Sequence, residues 1–235
     1  NAVTFAIFLT CLSRAKMVRD ERGARSTANI FVQSTEGMRY AAKHPGIGPV
    51  LVVIIALAIG LKPVLELLAG VVDTVYKLGP AGLGNLMAAA AVGATLAAVW
   101  LAQRGTVLGM TNIVIKALLF GTLSVFAFTS TESLIFGLIC AMFIGAAIVV
   151  GGTGTQTLMQ NAVDGAMRGR VMSLYGMVYR GGPALGALLM GSIAELVGFQ
   201  TALAFGGILC VVVFIWIIRQ RSRMVEALEA RPNDK

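Results

Sequence analysis

Apolar residues in this chain come in long unbroken runs rather than in alternation. Six runs stand out, at 47–70, 83–103, 108–128, 133–160, 171–194 and 199–218. Each is near the roughly 20 residues that a helix needs to cross the hydrocarbon of a bilayer. Turn and polar signals separate them: Lys77-Leu78-Gly79-Pro80, Gln103-Arg104-Gly105, Thr129-Ser130-Thr131-Glu132, the loop from Asp164 to Arg170, and Gly198. Lipid offers no partner for a backbone N–H or C=O, so each run is expected to be helical. The absence of period-two alternation excludes a β-barrel. The pattern predicts an all-α integral membrane protein, a bundle of six transmembrane helices over 47–219.

Residues 1–12 form an apolar stub about half a bilayer long, with no basic residue ahead of it. It does not read as a signal peptide. It reads as the end of a truncated transmembrane helix, which would make the chain the back half of something longer. Residues 13–46 divide into a charged stretch and an expected surface helix at 27–43, with Ile30, Phe31, Met38 and Tyr40 as its apolar members. Two readings stand for it: a helix lying in the headgroup plane or a solvated connector. Residues 220–235 are expected to be a tail.

Composition narrows the class further. The chain is 57% hydrophobic and 13% charged, with a mean hydropathy of +0.83, where a water-soluble domain carries about 25% charged residues. The net charge of +8 raises nucleic acid as a partner, but its distribution argues against one. The Lys and Arg residues cluster between the apolar runs: in 13–46, at Arg104, at Arg168 and Arg170, and after 218. Lys77 stands alone on the opposite side, and Lys62, Lys116 and Arg180 fall inside runs. Basic loops mark the cytoplasmic side, so linker and C-terminus are expected in the cytoplasm. Cys11, Cys140 and Cys210 lie far apart inside apolar runs, without metal-ligand spacing.

No catalytic constellation is present: there is no metal-binding cluster and no serine with a histidine in plausible reach. No cofactor is expected. Gly151-Gly152-Thr153-Gly154-Thr155 is glycine-rich but lacks the lysine of a phosphate loop. Small residues at i, i+4, such as Gly182 with Gly186, and the run Ala88 to Ala91 with Gly93, suit close helix packing or sliding.

Ionisable groups inside spans are costly and therefore informative. Lys62 and Glu66 stand four apart around Pro63. Glu66 is a candidate protonation site with Lys62 tuning it or meeting an anionic substrate; the alternative is a self-satisfied ion pair. Lys116 is within snorkelling reach of its span's end. Arg180, beside Gly181-Gly182-Pro183, suits an anionic group or a structural carboxylate partner. Thr153, Gln156, Thr157 and Gln160 share one helical face, which suits a water-lined cavity or hydrogen bonds between helices.

The segment Asp164-Gly165-Ala166-Met167-Arg168-Gly169-Arg170-Val171-Met172-Ser173-Leu174-Tyr175-Gly176, followed by Arg180-Gly181-Gly182-Pro183-Ala184-Leu185-Gly186, resembles the cytoplasmic loop and eleventh helix of major facilitator superfamily transporters. The likeness is to bacterial members, especially the enterobactin-exporter-like branch. Ala102-Gln103-Arg104-Gly105 is similar to the family's helix 8–9 loop signature, with Ala102 where an acidic residue is usual. The resemblance implies the C-terminal half of a secondary transporter in the bacterial inner membrane, paired with a six-helix N-terminal half. It implies alternating access around a midplane cavity reached by Lys62, Glu66, Thr153, Gln156, Gln160 and Arg180. Asp164, Arg168, Gly169, Arg170 and Arg104 would form the gating loops. The expected function is proton-coupled efflux of a small organic molecule or siderophore. A non-transporting scaffold or sensor that keeps the fold is the alternative.

Overall fold

The computed structural model describes residue 10 and residues 30–229. Apart from Thr10, the expected stub at 1–12 lies outside the described residues, as do 13–29 and 230–235. Among the described residues every regular element is a helix, as the uninterrupted apolar runs require.

Helix α1, Ile30–Lys43, lies within the span 27–43 expected to be helical, of which residues 27–29 fall outside the described residues. His44 follows it and accepts hydrogen bonds at Nδ1 from the N–H groups of Gly46 and Ile47. That bond caps the first membrane-crossing stretch at its N-terminal end, where backbone donors have no partner within the helix.

The first run is neither one regular helix nor over at residue 70. It comprises α2 (Ile47–Ala56), a π-helical turn (Leu57–Leu61), α3 (Pro63–Glu66), α4 (Leu68–Val71) and a second π-helical turn ending at Tyr76. Pro63 accounts for the first break, because it has no N–H and its ring crowds the preceding turn. The chain loosens by one residue ahead of it, and the N–H of Lys62 donates to Leu57 O at 2.9 Å. Lys77, in the left-handed region at φ 52°, ends the stretch where the Lys-Leu-Gly-Pro turn was expected.

The other helices are continuous: α5 (Pro80–Arg104), α6 (Met110–Thr129), α7 (Leu134–Ala162), α8 (Gly165–Val197) and α9 (Phe199–Glu229). Gly105 at φ 58° and Gly198 at φ 85° supply two of the predicted breaks. Five stretches are long and apolar enough to cross a membrane, Ile47–Glu66 and helices α5, α6, α7 and α9. Helix α8 is long enough, but Tyr179, Arg180, Gly181, Gly182 and Pro183 dilute its apolar content.

Two expectations are corrected. Asp164 to Arg170 is not a loop: the chain turns at Val163 and Asp164, and α8 starts at Gly165, because Ala, Met and Arg are good helix formers. The described part of the tail, residues 220–229, is not separate either but continues α9. At 1.5 Å per residue α9 is about 46 Å long, more than the roughly 30 Å of hydrocarbon. Its end packs back on the bundle, with Met224 and Leu228 fully buried.

Small residues set the closest helix contacts. A Cβ at Gly145 of α7 would overlap the carbonyl oxygen of Ala90 on α5, and one at Gly93 of α5 would overlap that of Met142 on α7. The same device joins α8 to the first stretch, where a Cβ at Gly186 would lie 2.7 Å from Pro63 and 2.9 Å from Ala58 O. Leu61, Leu118, Ile144 and Leu158 fill the centre between these helices.

Candidate functional site

Lys62 stands at the middle of the broken first stretch, half-buried. Its ammonium donates to the backbone oxygen of Tyr179 at 3.0 Å and lies 3.3 Å from the centroid of the Tyr179 ring. A cation over an aromatic face gains about 0.5–2 kcal/mol. The Lys62–Glu66 ion pair does not form. Among the described residues the one ion pair is Arg170–Glu36. The reason is the break at Pro63: with a π-helical turn before it, Lys62 is turned toward α8 while Glu66 stays exposed.

Tyr179 belongs to a cluster that pattern reading passed over. Its ring stacks on Tyr175, with centroids 5.3 Å apart and planes 12° apart. Tyr175 is buried and donates to Gly152 O at 2.9 Å. Thr155 Oγ1 donates to Gly151 O and Gly152 O at 2.6 and 2.9 Å. The glycine-rich stretch of α7 is thus a helical seat for an aromatic pair, since a Cβ at Gly152 would strike the Tyr179 hydroxyl. Two tyrosines four apart, one turn before Gly181-Gly182-Pro183, were the available signal. First stretch, α7 and α8 meet here.

The other expected cavity residues lie on these three elements, and the structure does not bring them into contact. Glu66, Thr153, Gln156, Gln160 and Arg180 are exposed, and Thr157 is half-buried. Thr153 and Thr157 line a cavity of about 330 Å³ shared with Leu101, Ala102, Thr106 and Met110. The polar stripe of α7 therefore faces the end of α5 as well as open space. Thr157 donates to Thr153 O at 2.9 Å, so that hydroxyl is satisfied within its own helix.

Two of the expected gating residues, Asp164 and Arg170, are tied to α1. Tyr40 donates to Asp164 at 3.1 Å, and Arg170 meets Glu36 at 2.7 Å. Burial first, then the bond to Asp164, holds the Tyr40 phenol above its ordinary value of 10.0. The neutral phenol is the bound form, so this contact persists below about pH 10 and is lost only as pH rises beyond it. Arg168 and Gly169 are exposed on the first turns of α8. Arg104 ends α5 and donates to Leu108 O at 2.8 Å.

One buried carboxylate was also missed. Glu229, at the end of α9, accepts from the N–H groups of Gly109 at 2.6 Å and Thr111 at 2.8 Å. A negative group on free N–H donors at the start of α6 is favourable both as a cap and against the helix dipole. Asn161 adds a bond to Leu228 O at 2.8 Å. The loop between α5 and α6 is thereby fastened to the end of α9.

Among the described residues no group of His, Cys, Asp and Glu has the arrangement to hold a metal ion. Cys140 and Cys210 are buried free thiols, and Cys210 donates to Ala56 O at 3.4 Å. Compared with known proteins, residues 1–235 match a family model described as transmembrane secretion effector. No curated protein and no solved structure matches the chain.

Proposed function

We propose a transport cycle from one premise: the chain belongs to the transmembrane secretion effector family, of the major facilitator superfamily. It is accordingly a multi-pass membrane transporter. The finer reading is proton-coupled efflux of a small organic molecule, siderophores included, by alternating access. The bundle serves as the C-terminal half, facing an N-terminal half of six helices across the cavity. The membrane is a bacterial inner membrane, with α1 and the C-terminus in the cytoplasm, the side marked by clustered basic residues. All six apolar stretches cross it, α8 included.

The observation that carries this reading is the exposure of Glu66 and Arg180 within otherwise apolar stretches. A charge facing lipid costs about 2.5–3.5 kcal/mol even on the lenient scale, so these two face water or protein. A cavity between two halves provides both. Lys62, held on Tyr179 by a single hydrogen bond, has N–H donors free for an anionic substrate group, and Arg180 on the next residue of α8 adds a second cation. Glu66 carries the proton. The π-helical turns on either side of it are where the first stretch bends as the cavity changes side; such turns recur at functional positions.

The test is substrate flux in proteoliposomes of the intact transporter under an imposed pH gradient, across a panel of catecholate siderophores and amphipathic dyes. Wild type is expected to move at least one of them faster with the gradient than without. Glu66→Gln is expected to lose the gradient dependence while keeping exchange down a substrate gradient. Unaltered driven flux in the variant removes Glu66 from coupling, and flux indifferent to pH sinks the proton-driven reading.

A further inference from the structure

Away from the Lys62 site, a second cavity of about 510 Å³ opens between α5, α6 and α7. Arg104 and Lys116 line it together with Trp100, Phe120, Phe143 and Ala146. The three aromatic residues are about half exposed, so the cavity is a groove on the outer flank rather than an enclosed chamber. No carboxylate lines it among the described residues, and neither cation has an ion-pair partner there.

Both cations line this same groove. Side chains on a helix lean toward its N-terminus, so Lys116, six residues into α6, leans back toward Met110 and the end of α5. Arg104 is the last residue of α5. Its guanidinium stands 5.9 Å from the Trp100 ring, and Nη2 donates to Leu108 O. Nε is buried with no hydrogen-bond partner. A buried charged donor left unsatisfied costs more than an ordinary lost bond, which is the condition an anion would relieve. The rest of the groove's lining, Phe120, Phe143 and Ala146 included, is apolar.

We propose that this groove binds one anionic phospholipid, its phosphate between Arg104 and Lys116 and one acyl chain along Phe120, Phe143 and Ala146. Charge complementarity selects the headgroup: two unpaired cations and no carboxylate favour phosphatidylglycerol or cardiolipin over a zwitterionic lipid. The bound lipid bridges α5 to α6 at the turn that Glu229 fastens from the other side. The inference stands independently of whether Glu66 couples a proton.

The experiment is native mass spectrometry of the detergent-solubilised intact protein with an equimolar mixture of phosphatidylglycerol and phosphatidylcholine. Each cation near an anionic headgroup is worth about fivefold, so wild type should retain phosphatidylglycerol roughly 25-fold over phosphatidylcholine. Arg104→Gln with Lys116→Gln should bring that ratio near one, with size-exclusion profile and circular dichroism unchanged. Ala146→Leu, which fills the chain groove and keeps both cations, should lower retention of either lipid severalfold. If the double variant misfolds, Ala146→Leu still decides the matter. Equal retention of the two lipids by wild type, or an undiminished preference in the double variant, overturns the proposal. So does loss of the phosphatidylglycerol preference on adding inorganic phosphate alone, which would assign the cations to a soluble anion.

Discussion

The first stretch and its α8 neighbour differ from the α5–α6–α7 flank in a way that runs against simple expectation. The first stretch is the least regular, interrupted twice by π-helical turns, and also the most buried. Of its most apolar portion 67% is buried inside the protein, against 22% for α5. In lipid an unsatisfied backbone group has no relief, so broken helices persist only where protein or a water-filled cavity surrounds them. The interior position is what permits Pro63, the loosened turn and Lys62. The outer flank obeys the opposite rule: helices that face lipid stay continuous and lock together through glycine contacts. A continuous, rigid exterior and a broken, deformable interior are what the proposed alternating-access cycle would use.

The largest predicted effect breaks the rigid flank. Gly145→Leu drives a side chain into the Ala90 carbonyl and should cost about 3 kcal/mol or more, seen as loss of the cooperative thermal transition followed by circular dichroism. On the deformable side, Gly176→Ala and Gly181→Ala enter open space. They should leave stability level or raise it by about 0.5–1 kcal/mol through helix propensity. Equal damage from all three would erase the distinction.

Next in size is Glu229→Ala, which strips two N–H groups at the start of α6 of their acceptor. A loss of about 1–3 kcal/mol is expected, with faster amide exchange at Gly109 and Thr111. Protection unchanged at those amides would show that water replaces the carboxylate without cost.

Within the interior, Tyr179→Phe keeps both the ring and the backbone oxygen that hold Lys62, and should shift stability by less than about 0.5 kcal/mol. Tyr179→Leu removes the ring and should cost about 0.5–1 kcal/mol more. A Phe variant as damaged as the Leu variant would move the importance to the hydroxyl. Smallest is the exposed Arg170–Glu36 pair: a double-mutant cycle with Arg170→Ala and Glu36→Ala should give about 0.2–1 kcal/mol of coupling. Zero coupling would leave Tyr40 and Asp164 as the contact that fastens α1.

Much of the fold was legible along the chain because its determinants are local. Length of apolar run, Gly105, Gly198 and the Lys-Leu-Gly-Pro turn act on neighbouring residues and marked the breaks between helices, although α8 starts six residues before its apolar run and α9 ends eleven residues after its own. Lys62, Arg180 and the threonine–glutamine stripe were recognisable as unusual, since a polar residue in an apolar run is visible without knowing its surroundings. Their partners were not. Lys62 and Tyr179 lie 117 residues apart, and Glu229 and Thr111 lie 118 apart, so no periodicity connects them.

The sequence by itself therefore determined that the chain is a helical membrane protein, where its apolar helices run, and which polar residues stand out within them. Tertiary structure alone decided that Lys62 abandons Glu66 for Tyr179 and that Glu229 caps α6. The physical reason is one of range. Desolvation of a helix-length run is settled by composition over some 20 neighbours, whereas the partner of a buried polar group is settled by whichever helix packing brings within about 3 Å.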